Sequence, residues 1–72
     1  PRNPRALYLL AWVRLALKEV TEAETLFQQA RTLMPNTPGV YAGLLAVAKE
    51  RGDSKAEARW AEKLRVMEQA TD

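Results

Sequence analysis

The stretch AETLFQQARTLMPNTP, residues 23–38, combines the spacing of an amphipathic helix with a proline at its end. Ala23, Phe27 and Ala30 are separated by four and three residues, so they share one side of a helix. Pro35 ends that helix, because the residue before a proline is pushed out of helical geometry. Such a segment is either an ordinary amphipathic helix or half of a repeat whose second copy lies elsewhere in the chain.

A first helix is predicted before this stretch. Asn3 followed by Pro4 is a cap and first-turn pair, and a periodic apolar run over residues 7–17 continues the helix. A tight turn at about residues 19–20 separates it from the second helix.

Capping boxes, in which Ser or Thr precedes Glu by three residues, predict where the second and fourth helices begin. Thr21 with Glu24 has this pattern, and so has Ser54 with Glu57. The fourth helix is expected to run almost to the C-terminus.

The third helix repeats the device that opens the first. Thr37 and Pro38 form its cap and first turn, and the helix is expected to run to about Arg51 and to end on Gly52. Four helices with short connections and no strand signal predict an all-α fold of antiparallel neighbours.

The two halves of the chain correspond to each other at a nearly fixed period, which predicts two helical hairpins. The chain is therefore one domain over residues 1–72, with repeat one at 4–37, repeat two at 38–70 and one residue fewer in the second turn. Residues 34 apart correspond in the first helices, and residues 33 apart in the second: Pro4 with Pro38, Leu7 with Tyr41, Leu10 with Leu44, Thr21 with Ser54, Ala23 with Ala56, and Phe27 with Trp60.

On these residues the chain resembles the tetratricopeptide repeat family. The first repeat matches through Leu7, Leu10, Ala11, Ala23, Phe27, Ala30 and Pro35. The second matches through Tyr41, Leu44, Gly52, Ala56 and Trp60, and departs at Leu45 and Lys63 and in having no closing proline. The resemblance implies stacked antiparallel hairpins in a short right-handed superhelix whose concave surface binds peptides or helices.

The same resemblance implies a protein–protein interaction module, of adaptor, scaffold or chaperone-like type, that binds an apolar or amphipathic peptide or helix of another protein. The alternative is that an upstream repeat covers Tyr8 and Trp12. The implied groove is lined by Arg5, Tyr8, Trp12, Leu15, Gly39, Ala42, Ala46 and Lys49.

The first helix is apolar around almost its whole circumference, through Tyr8, Leu9, Trp12, Val13 and Leu15. Another chain or a missing repeat is expected to cover part of this surface. The alternative function is therefore a C-terminal structural end of a longer array, or a homo-oligomerisation module. In the third helix, Gly39 and Gly43 indicate either close packing on the second helix or approach of a partner in the groove.

Composition argues against an enzyme. The 72 residues include no cysteine and no histidine, so thiolate nucleophiles, the usual general base and common zinc ligands are missing, and no cofactor is expected. No apolar run is long enough to span a membrane. The opening PRNPRA, without Met or a signal peptide, suggests a piece of a longer protein. Nucleic acid is not the expected partner, because the basic residues among the first eighteen are few: Arg2, Arg5, Arg14 and Lys18.

Overall fold

The computed structural model of the chain describes residues 3–70, and within that range it confirms the all-α prediction. Its helices are α1 (Pro4–Ala16), α2 (Val20–Leu33), α3 (Pro38–Arg51) and α4 (Ser54–Ala70), with no strand in the described range. α1 packs against α2 and α3 packs against α4, which makes two antiparallel hairpins. The hairpins stack through α3, which contacts α1, α2 and α4.

The core lies between the two hairpins. The first hairpin contributes the fully buried side chains of Ala11, Ala23, Phe27 and Ala30. The residues that α3 contributes are Val40, Tyr41, Leu44, Val47 and Ala48. Small residues on α1 and α2 allow these helices to approach closely, and Phe27 fills the space that remains beside α3.

Gly43 of α3 lies where the two hairpins pack tightly against each other. A Cβ atom at this position would overlap the ring of Phe27, so only glycine fits. Of the two interpretations of this glycine, the structure shows the packing one: Gly43 lies against the second helix of the first hairpin.

Three predicted helix ends are confirmed. The side chain of Asn3 accepts a hydrogen bond from the backbone N–H of Arg5, at 3.0 Å, and caps α1. Gly52 ends α3 with φ +68°, a left-handed conformation that glycine adopts without a steric penalty. The second helix ends at Leu33, before Pro35 as predicted.

Both predicted capping boxes are wrong. Thr21 lies inside α2, whose cap residue is Glu19 with no capping bond from its side chain. Ser54 is already the first residue of α4, and the cap is Asp53, whose Oδ1 accepts the backbone N–H of Ala56 at 3.1 Å. In both cases the Ser or Thr already lies within the helix, so its backbone is helical and it is not the cap residue.

The turn between α1 and α2 lies earlier than the predicted 19–20, over residues 17–19. Lys18 has φ +66° there, the conformation that Gly52 adopts 34 residues later. Lys18 lies five positions before Ala23, whereas Gly52 lies four positions before Ala56, which agrees with one residue fewer in the second turn.

Candidate interaction surfaces

The eight residues predicted to line a groove are all partly or fully accessible, and we call them the groove face. Their four-and-three spacing places each half of the set on one side of its helix, α1 or α3. The charged members are exposed and the other six are half-buried. The groove face consists of Arg5, Tyr8, Trp12, Leu15, Gly39, Ala42, Ala46 and Lys49.

Tyr8 is the residue that joins the two halves of the groove face. A Cβ atom placed on Gly39 would lie 2.5 Å from the Tyr8 hydroxyl oxygen, so this ring reaches from α1 onto α3. The Tyr8 ring also lies 6.4 Å from the ring centroids of Trp12 and of Phe27, in edge-to-face geometry. Gly39 therefore provides the space in which Tyr8 lies.

Trp12, like Tyr8, contacts the core and keeps part of its ring accessible. Its ring centroid is 5.2 Å from that of the buried Phe27, at 82° between the ring planes, a favourable aromatic arrangement. Both rings are therefore fixed by the core on one side and partly accessible on the other. The resemblance alone did not reveal their contact with the core, because that contact requires the position of Phe27.

A cleft of about 320 Å³ adjoins Tyr8 at the start of α1. Besides Arg5 and Tyr8 it is lined by Leu9, Met34 and Thr37. Met34 and Thr37 belong to the connection between α2 and α3 and were not predicted as site residues. Sequence reasoning had no signal for them, because a connection shows no periodicity.

A second surface, the α1 stripe, consists of Ala6, Leu9, Leu10 and Val13 on the side of α1 away from the core, together with Leu17 directly after the helix. Its large side chains are exposed by 55% at Leu9, 41% at Leu10, 53% at Val13 and 60% at Leu17. The expectation of uncovered apolar surface on the first helix is therefore confirmed for Leu9 and Val13, whereas Tyr8, Trp12 and Leu15 are half-buried.

Cations lie over the aromatic rings of the second hairpin. The guanidinium carbons of Arg31 and Arg59 lie 5.7 Å and 4.9 Å from the ring centroid of Trp60. Lys63 Nζ lies 5.5 Å from the ring of Tyr41. Cations over aromatic faces are favourable and keep charge at the surface, which accounts for a lysine where the repeat pattern has a small residue.

Ion pairs occupy part of the basic N-terminal region. Arg14 donates to Glu19 at 2.8 Å, and Lys18 donates to both carboxylate oxygens of Glu50 at 3.1 and 3.2 Å. The hydrogen bond and charge of Glu19 raise the pKa of Arg14. Two of the four early basic residues are thus paired, Arg5 belongs to the groove face, and Arg2 lies outside the described residues.

Arg65 and Glu62 form a further pair on the exposed side of α4. The hydrogen bond from Arg65 lowers the pKa of Glu62, and the same bond raises the pKa of Arg65. Both groups are charged at neutral pH and solvated.

Over residues 3–70, no cluster of acidic, histidine or cysteine side chains is arranged to hold a metal ion. No helix in the same range combines the length and apolar character that crossing a membrane requires. Comparison of the chain with protein-family models, with curated proteins and with solved structures gave no match.

Proposed function

We propose that the chain is a tetratricopeptide-like protein-interaction module, without catalytic chemistry, that holds an apolar or amphipathic helix of another protein on the groove face. The observation that carries this proposal is the pairing of two half-buried aromatic rings, Tyr8 and Trp12, with a facing helix on which the half-buried residues of the groove face are small. These residues are Gly39, Ala42 and Ala46. Such a surface offers apolar contact area on one side and room for a helix on the other.

The rings suit this role because their positions are already fixed. Phe27 contacts both Tyr8 and Trp12, so a partner that buries them need not first order them. Aromatic side chains held in this way are typical centres of binding energy, each contributing about 2 kcal/mol or more. Arg5 and Lys49 lie at opposite ends of the groove face and favour a partner helix with acidic residues near its ends.

The test is selection from a displayed library of amphipathic helices, followed by affinity measurement with Ala46→Glu. Ala46 is half-buried on the groove face, so a carboxylate there charges the apolar surface without removing a core side chain. We expect the selected helices to bind this variant at least about tenfold more weakly, a loss of about 1.4 kcal/mol. Removing Tyr8 or Trp12 instead would disturb the contact with Phe27.

The matched control is Ala61→Glu, the same substitution at an exposed position of α4. It is expected to bind the selected helices as the unmodified chain does, and both variants are expected to keep the same helical circular dichroism. Failure of the library to yield any binder, or equal binding by the two variants, contradicts the proposal.

A second candidate function is supported by the α1 stripe. Four exposed apolar residues on one face of α1, continued by Leu17 directly after the helix, are typical of a surface that another helix covers. On this account the chain is the C-terminal structural end of a longer helical array or a homo-oligomerisation module. The cations over Trp60 and Tyr41 support the C-terminal structural end, because charged side chains are compatible with a terminal surface that is exposed to water.

A further inference from the structure

The α1 stripe corresponds, position by position, to a surface of α3 on which Gly43 lies against Phe27 of α2 and Arg51 pairs with Glu24 of α2. Residues 34 apart occupy the same place in the two hairpins, and the α3 members are buried where the α1 members are exposed. The pairs are Ala6 with Val40, Leu9 with Gly43, Leu10 with Leu44, and Val13 with Val47. The interface inside the chain therefore describes the kind of helix that would cover the stripe.

One of these pairs exchanges a small residue for a large one. Gly43 leaves room for the ring of Phe27, whereas the residue at the corresponding position of the α1 stripe is Leu9. A covering helix with an aromatic residue at the position of Phe27 would collide with Leu9. A small residue there leaves the space that the leucine fills, and such exchanges of large and small partners conserve volume.

A second pair differs in charge. Arg51 bonds to Glu24 and donates to Thr21 Oγ1 at 3.1 Å, while its counterpart in the first hairpin is the exposed Leu17. A glutamate facing Leu17 would meet an apolar side chain in place of the guanidinium of Arg51. The covering helix therefore carries an apolar residue at the position of Glu24.

We propose that the α1 stripe is a docking surface for a further helical hairpin, resembling α1 and α2, whose second helix carries a small residue at the position of Phe27 and an apolar residue at the position of Glu24. This inference rests on the second candidate function and not on the groove face. It goes beyond that candidate by stating the side chains that the neighbouring hairpin presents.

The same geometry excludes the end of a second copy as the occupant. In α4, Trp60 stands at the position of Phe27 and would collide with Leu9. Lys63 stands at the position of Ala30 and would bring its charge onto the stripe. Copies of this chain therefore do not add head to tail, although both ends belong to the same repeat pattern.

The test uses the full chain with a copy of residues 4–37 inserted between Asn3 and Pro4, so that the new junction repeats the natural one after Thr37. In every version the Glu24 of the copy is replaced by leucine. Four chains then combine Phe27 or Phe27→Ala in the copy with Leu9 or Leu9→Gly in the original part. Their stabilities are measured by urea unfolding, and their helix content by circular dichroism.

We expect the two chains that pair one large with one small residue to be the most stable. The coupling between the two positions should change the unfolding equilibrium constant at least tenfold, whereas a copy that does not lie on the stripe gives additive effects. Additivity, or no gain in helix content in any of the four chains, overturns the proposal. Light scattering of the unextended chain gives the second readout, and concentration-dependent oligomers overturn the exclusion of a second copy.

This experiment is separable from the one on the groove face. Ala46 is not part of the α1 stripe, so loss of helix binding by Ala46→Glu tests the groove alone. The coupling in the extended chains tests the stripe alone, and either result can fail while the other holds.

Discussion

The two hairpins pack tightly at one pair of residues, Gly43 and Phe27. The ring of Phe27 is fully buried and occupies the place that any side chain at Gly43 would need. Glycine inside a helix costs about 1 kcal/mol relative to alanine, so its presence here is explained by the ring rather than by helix formation.

We predict that Gly43→Ala destabilises the chain by about 1–3 kcal/mol, because overpacking of the core outweighs the better helix propensity of alanine. Urea unfolding followed by circular dichroism measures the change. Combining it with Phe27→Leu should cost less than the sum of the two single changes. An increase in stability on Gly43→Ala alone would show that the hairpins do not meet at this residue.

At the scale of the helix, the start of α4 depends on one side chain. Asp53 Oδ1 accepts the N–H of Ala56 at 3.1 Å, and no capping bond involves the neighbouring Ser54. The two residues are adjacent, so substituting each by alanine distinguishes the observed cap from the one that the capping-box pattern predicts.

Asp53→Ala is expected to lower the free energy of unfolding by about 1 kcal/mol, the usual cost of losing an N-terminal cap. Ser54→Ala should change it by less than about 0.5 kcal/mol, as an exposed surface substitution does. Chemical unfolding of both variants under the same conditions provides the comparison. The opposite order of effects would place the cap at Ser54.

The helices were predictable from sequence wherever a residue with special backbone properties marks an end. Asn3 with Pro4, Pro35 and Gly52 each fixed a boundary that the structure confirms. Lys18 adopts the same left-handed conformation as Gly52. A lysine does not indicate such a backbone conformation in a sequence, and the turn is therefore predicted too late in the chain, at residues 19–20.

The sequence predicts which residues make up the surface of the first helix, but not which of them remain exposed. The sequence indicated that the first helix is apolar nearly all round, which is a property of its residues. Which side of the first helix remains exposed depends on where α2 and α3 lie. In the structure, Tyr8 and Trp12 lie against Phe27, and Leu9 and Val13 are left uncovered.

At the scale of the whole molecule, the two ends of the stack differ. The α1 stripe at one end is apolar and bare, whereas at the other end Arg59 and Lys63 lie over aromatic rings. Stacked hairpins present a first helix at one end and a last helix at the other, so the two surfaces differ in the helix presented as well as in its residues.

The most direct test of the account compares the same substitution at one repeat position in both hairpins, Leu10→Ala and Leu44→Ala. Leu44 is 1% exposed, whereas its counterpart Leu10 is 41% exposed. We predict a loss of about 2–5 kcal/mol in the free energy of unfolding for Leu44→Ala and of less than about 1 kcal/mol for Leu10→Ala. Equal losses at the two positions would contradict the account, because they would show that the α1 stripe is already covered in the chain by itself.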